Sequence, residues 1–214
     1  PKMIVDGKPF IILGGELHNS TGSDKEAMQK VWKEMKDLHL NTVLAYAYWE
    51  LLEPVEGQYN FELIDDMIEG AKKENMKVVL VWFGSWKSTS SSYVPAWVKT
   101  NPKRFERYTL QNGKTLEMLS AFNEENRNAD AKAYVALMQH LKDFDKQHTV
   151  IMTQVENEPG CFENYRDFSP ASQKAWQSPM PADMIAYLQK NKGKLFPALE
   201  KAWTANGNKT SGTW

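Results

Sequence analysis

Two glutamates flanking an asparagine, Glu156-Asn157-Glu158, follow an apolar, β-branched run that opens at Val150 and are closed off by Pro159-Gly160. Such a run predicts a strand buried on both faces, and Pro159 stops it from continuing as an inner ladder partner. Carboxyls at the end of a buried strand suit general acid–base work, because burial disfavours the charged form and lifts the pKa toward neutral pH. The same three residues also fit a solvated loop, and by themselves they leave both readings open. Glu16 and His18, within Gly14-Gly15-Glu16-Leu17-His18-Asn19, suit hydroxyl ligands and equally suit loop structure. Trp49, Trp82 and Trp86 stand near the ends of other apolar runs. An indole face matches the apolar face of a sugar, but it fills a core equally well. Lys87 reads as a solvated cation or a hydroxyl ligand. Cys161 has no matched His or Asn partner and reads as a small buried thiol.

Other chemistries are excluded by what is missing. The four histidines, His18, His39, His140 and His148, form no His-Glu-x-x-His pattern, and a single cysteine permits neither an internal disulfide nor Cys-x-x-Cys. With 26 basic and 27 acidic residues the net charge is -1, which points to neither nucleic acid nor an anionic membrane. No apolar run approaches the ~20 residues of a membrane helix. The chain shows no signal peptide and begins at Pro1, so a processed or trimmed piece of something longer is expected.

The elements that must position these residues alternate. A hairpin is expected around Asp6-Gly7, with its second run covering Lys8 to Leu13 and ending in the Gly14-Gly15-Glu16 loop. Ser23-Asp24-Lys25-Glu26 fits a capping box, opening a helix with Met28, Val31, Trp32, Met35 and Leu38 on one face. A strand over residues 41–48 leads to a helix with Phe61, Ile64, Met67, Ile68 and Ala71 inward. Residues 77–83 form the purest buried strand, followed by a long Ser-rich loop to Tyr93 that reads as a site loop. Pro95 to Val98 suggests a helical turn, and Asn112-Gly113 a small hairpin. A third helix, with Ala133, Leu137, Leu141 and Phe144 inward, feeds the strand at Val150. Ser169-Pro170 opens the first of three further helices. Strand and helix thus alternate four times over residues 1–214, read as the N-terminal part of a single domain, in the pattern of parallel β/α units. Gly14-Gly15-Glu16 is no dinucleotide turn, which disfavours a doubly wound sheet. Four units amount to half of a (β/α)8 barrel.

Read together, these motifs resemble glycoside hydrolase family 35, the retaining β-galactosidases of a (β/α)8 barrel clan. Gln154-Val155-Glu156-Asn157-Glu158-Pro159-Gly160 resembles that family's Gln-x-Glu-Asn-Glu-x-Gly. Asn41-Thr42-Val43, then Tyr46, Trp49 and Glu53-Pro54, resemble its second-strand pattern, while Gly57 to Phe61, Pro95-Ala96-Trp97 and Val5 to Phe10 fit further family segments. The resemblance implies that Glu158 is the general acid/base, that Asn157 binds the sugar and that Tyr46 contacts galactose. Glu156 is then a supporting residue, while Glu50 and Glu53 are local structure. The nucleophile is expected on a seventh strand beyond residue 214, so this chain alone is expected to be inactive. Ser85 stands where the family usually has an acid, which resembles a bacterial subgroup and leaves sugar specificity open. The resemblance further implies a carbohydrate substrate, no metal or other cofactor, no nucleic-acid or membrane partner, and a periplasmic or secreted bacterial protein with a homo-oligomer among its expected states. Another β-glycoside as substrate, or a non-catalytic carbohydrate-binding relative, stays open as an alternative.

Overall fold

The computed structural model describes residues 2–88, 90–162 and 164–213. β1 (Ile4–Val5) and β2 (Lys8–Pro9) pair antiparallel. Asp6 and Gly7 between them both take positive φ, 50° and 76°, as a two-residue hairpin turn requires. The expected second run stops after Pro9. The glycine pair expected as a loop is itself a strand, β3 (Gly14–Glu16). The reason is pairing: Gly14, Gly15 and Glu16 stand in parallel register with Thr42, Val43 and Leu44, and a Cβ on Gly15 would lie 2.7 Å from Leu40 Cδ1 and Met35 Sδ. A side chain at Gly15 would have to push these two side chains aside.

That helix, α1 (Lys25–Asp37), is capped by Asp24, whose Oδ1 accepts the Ala27 N–H at 2.7 Å. Ser23, the expected cap, sits in a 3₁₀ turn and donates its hydroxyl to the Ser20 carbonyl at 2.7 Å. β4 (Thr42–Tyr48) runs directly into a short helix, α2 (Trp49–Leu52). Then come α3 (Glu62–Lys73), β5 (Lys77–Phe83) and α4 (Ala96–Lys99). The hairpin of β6 (Arg107–Thr109) and β7 (Thr115–Leu119) precedes α5 (Glu124–Phe144) and β8 (Val150–Val155). Three helices follow: α6 (Pro170–Gln177), α7 (Ala182–Lys190) and α8 (Pro197–Ala205).

β3, β4, β5 and β8 form one sheet, all parallel and in chain order. A sheet that never reverses its order is wound as a barrel and not as a doubly wound sheet, so the fold is a partial α/β barrel. Register places Glu16, Leu44, Val79 and Met152 in one cross-strand row, and Tyr46, Val81 and Gln154 in the next on the same face. The opposite face carries Ala45, Leu80 and Thr153, then Ala47, Trp82 and Val155. This second face meets α5, where the Tyr134 hydroxyl lies 2.8 Å from Thr153 Oγ1. Met28 and Trp32 of α1, Ile64, Met67, Ile68 and Ala71 of α3, and Ala133, Leu137 and Leu141 of α5 fill the core as their spacing predicts. Leu38, expected inward, is 67% exposed because it caps the end of α1.

β8 departs from the strand buried on both faces that its residues predict. Met152 is 48% and Val155 59% exposed, because among the described residues β8 has only β5 beside it. A second, smaller core of Trp86, Tyr108, Leu110 and Met118 lies apart from the main one, with Cys161 half-buried against it.

Candidate active site at the carboxyl ends of the strands

Past Val155 the chain turns through Glu156 at φ 64° and Glu158 at φ 46°. Left-handed backbone costs a residue with a Cβ roughly 1–2 kcal/mol, so other contacts must hold the turn. Asn157 donates its N–H to the Trp86 carbonyl at 3.1 Å and its Nδ2 to the Lys87 carbonyl at 2.9 Å. Gln154 Nε2 donates to Asn157 Oδ1 at 2.8 Å and to the Glu156 carbonyl at 3.1 Å. In return, the Ser85 and Trp86 N–H groups donate to Glu156 Oε1 at 3.2 Å and Oε2 at 2.7 Å. One N–H of the Asn157 amide remains for a ligand.

Glu156 shares the Ser85 N–H with Asp130 of α5, which brings the two carboxyls together. Asp130 accepts the Trp82 indole N–H and the Ser85 N–H, each at 2.7 Å. Burial, and after it the hydrogen bond and negative charge of Asp130, push the Glu156 carboxyl up to about 10; the Trp86 and Ser85 N–H groups pull more weakly the other way. Two carboxyls this close do not readily ionise together, so the fold favours the protonated form of Glu156. The strand end therefore carries a carboxyl raised by burial, as its residues predict, and it is Glu156. Glu158 is exposed, and its carboxyl engages no hydrogen bond or ion pair among the described residues.

On the neighbouring strands the structure joins Glu16 to Tyr46, whose hydroxyl donates to Glu16 Oε1 at 2.7 Å with the Leu17 carbonyl as a second acceptor at 3.0 Å. Burial, then the Glu16 contact, raises the Tyr46 phenol above its ordinary range. Tyr46 is 3% exposed and stacked on Phe83 at 4.4 Å, so a ligand approaching this corner meets exposed Glu16 first. His18 is exposed, and its Nδ1 accepts the Ser20 N–H at 3.4 Å.

The tryptophans correct the sugar-stacking expectation. Trp82 lies on the α5-facing side at 1% exposure, its indole held by Asp130. Trp86 is buried edge-to-face against Tyr108, 6.0 Å between ring centres. Trp49 is fully buried and donates to Glu53 Oε2 at 2.7 Å. All three fill core space and offer no open ring face. Glu53, which also accepts the Gly57 N–H at 2.7 Å, and Glu50, paired with Lys99 at 2.8 Å, are local structure as expected. Lys87 Nζ lies over the Phe83 ring, 5.8 Å from its centre.

Asp130 was not singled out by its sequence context. Its signal lies in α5, where Asn126 and Asp130 continue toward the N-terminus the buried stripe of Ala133, Leu137 and Leu141. Polar residues on a buried stripe must be satisfied by something. Among the described residues, no group of three or more His, Cys, Asp or Glu is placed to hold a metal ion, and no helix is long and apolar enough to cross a membrane.

A parallel sheet in chain order that ends its fourth strand in a Glu-Asn-Glu turn has the framework of a barrel glycosidase. The family model of glycoside hydrolase family 42, described as β-galactosidase, matches residues 18–207, and the chain belongs to that family. Family 35, expected from the motifs, is not the family matched; the matched family carries the description β-galactosidase. Among curated relatives, a β-galactosidase of Xanthomonas manihotis is 26% identical over 75% of this chain and 26% of its own length. β-Galactosidase 8 of Arabidopsis thaliana is 26% identical over 83% of this chain and 20% of its own. The chain thus spans about a quarter or less of the length of these relatives. In fold, it is similar to the β-galactosidase of the psychrophilic Marinomonas ef1, with a TM-score of 0.61 at 17% identity over 91% of this chain and 27% of that one. It is also similar to a catalytic mutant of a family 42 β-galactosidase from G. stearothermophilus, with a TM-score of 0.58 at 21% identity over 91% and 26%.

Proposed function

We propose that the protein hydrolyses β-D-galactosides with retention and that Glu158 is its acid/base. The observation that carries this reading is the turn after β8. It presents Glu158 with an unengaged carboxyl beside an asparagine amide that keeps one free N–H. Membership of a β-galactosidase family supports the substrate class. The likeness of the motifs to family 35 enters only as shared double-displacement chemistry.

In this reading Glu158 donates its proton to the glycosidic oxygen as the C–O bond breaks, while a second carboxylate, ~5–5.5 Å away, bonds to the anomeric carbon. Glu158, now a carboxylate, then takes a proton from the water that displaces the enzyme from the sugar. Asn157 donates to the sugar 2-hydroxyl, a contact that strengthens in both transition states. Glu16 accepts from another hydroxyl. The nucleophile belongs to a part of the barrel outside residues 1–214.

Glu158→Gln in the whole protein tests this reading. Substrates with poor leaving groups lose roughly 10²–10⁴-fold in glycosylation rate, since a carboxamide cannot donate the proton. Activated aryl galactosides lose less, their glycosyl-enzyme accumulates, and azide restores turnover as β-galactosyl azide. An equal loss on good and poor leaving groups, without azide rescue, removes Glu158 from the role. Galactoside binding without any turnover by the unaltered whole protein would favour a carbohydrate-binding relative.

A further inference from the structure

Glu156 takes no part in the double displacement, yet both its oxygens accept backbone N–H groups from the turn after β5. β5 and β8 pair as strands as far as Trp82 and Val155. Beyond them both chains turn and the regular ladder stops, but four hydrogen bonds still join them. Ser85 and Trp86 donate N–H groups into the Glu156 carboxyl, and Asn157 donates to the Trp86 and Lys87 carbonyls. Trp86 is the pivot, giving its N–H to Glu156 and taking that of Asn157. Asp130 anchors the arrangement from α5, holding the Trp82 indole and the Ser85 N–H.

We propose that Glu156 is a positioning residue for Glu158: with Asp130 it clamps the turn after β5 to the turn after β8 and so fixes the left-handed backbone that presents Asn157 and Glu158. This inference rests on the reading of Glu158 as acid/base. Glu156 and Glu158 both have positive φ, and the one amide between them, Asn157, is tied on its backbone and its side chain to the β5 turn. Loss of the Glu156 carboxyl leaves the Trp86 N–H with no acceptor beside a cavity of about 290 Å³ that Ser85, Arg127, Asp130, Tyr134 and Glu156 help to line. A proton on Glu156 favours the clamp, since an ionised Glu156 would repel Asp130, with which it shares the Ser85 N–H. The other titratable groups lining that cavity are Arg127 and Tyr134, both on α5.

Hydrogen exchange of the whole protein, read on peptides covering residues 84–88 and 155–159, tests the clamp in the wild type, Glu156→Gln and Glu156→Ala. Glutamine keeps a donor toward Asp130 and an acceptor toward the backbone, and it cannot ionise. Wild-type protection of both peptides is expected to fall roughly tenfold or more as the pH rises from neutral toward about 10, the loss of one or two hydrogen bonds. The Gln variant keeps its protection over that range. The Ala variant lacks it at every pH, while residues 78–82 in the sheet centre stay protected. With aryl galactosides, Glu156→Ala lowers kcat roughly tenfold or more at a nearly unchanged KM, and Glu156→Gln restores it. Unchanged protection in the Ala variant would sink the clamp, as would a pH dependence identical in the wild type and the Gln variant. If Glu156→Ala does not fold, the wild type and Gln variant still decide that comparison. Lost protection with unchanged kcat would leave a clamp with no positioning role. If the unaltered protein hydrolyses no galactoside, the proposed function fails and the positioning role fails with it, whatever the exchange data show.

Discussion

Two residues apart in sequence, Glu156 and Glu158 end in opposite surroundings. Glu156 turns toward α5, where burial and Asp130 raise its carboxyl, and Glu158 stands in the open at the strand end. A raised folded-state pKa has a definite sign in stability. Unfolded, Glu156 titrates near its ordinary 4.5; folded, it holds its proton to about 10. Its contribution is complete below the lower value and is lost as the pH rises toward the upper one. Urea midpoints measured at pH 5, 7 and 9 are therefore expected to fall with pH more steeply in the wild type than in Glu156→Gln, which has nothing to titrate at this position. A second residue-scale outcome concerns Trp49 and Glu53. Trp49→Phe leaves the buried Glu53 Oε2 without its 2.7 Å donor, and the stranded acceptor is expected to cost about 1–3 kcal/mol in denaturant unfolding.

At the scale of elements, the helices differ from their sequence patterns at their ends more than along their faces. α1 begins one residue later than the Ser23 capping box suggests, because Asp24 and not Ser23 receives an orphan N–H. Asp24→Ala is accordingly expected to cost ~1 kcal/mol and Ser23→Ala far less, a contrast that thermal unfolding of the pair would show. Where α1 meets α3, a Cβ on Gly70 would stand 2.2 Å from Trp32 Nε1 and 2.7 Å from Trp32 Cε2. Alanine is the better helix former by ~1 kcal/mol, but forcing the indole aside is expected to outweigh that gain. Gly70→Ala should lower stability, and a gain instead would show that Trp32 moves freely.

The whole molecule has a sheet with an unpaired edge on β8 among the described residues. On that edge strand are Met152, 48% exposed, and Val155, 59%. An edge strand with apolar neighbours templates association. Residues 1–214 on their own are expected to self-associate in light scattering, and Met152→Lys with Val155→Lys to suppress it. A monodisperse monomer without these changes would show that the edge is already protected.

Much of this architecture was legible in the chain. Alternating buried runs and 3.6-residue stripes specify β4, β5, α3 and α5 because burial needs only the right residues at the right period. The Glu-Asn-Glu run after the last strand marks a candidate site because strand ends are where a parallel sheet exposes side chains to a cleft. Which face each side chain took was decided in the folded structure. Trp82 pairs with Ala47 in register and so falls on the α5 side, out of reach of a sugar-binding role that its position at a strand end made equally plausible. Asp130 lies 26 residues before Glu156, and only packing of α5 against β5 and β8 brings the two acids onto the same Ser85 N–H. Local pattern specifies elements through near neighbours. The raised carboxyl and the clamp it forms depend on contacts between residues far apart in the chain, and those exist only once α5 has packed on the sheet.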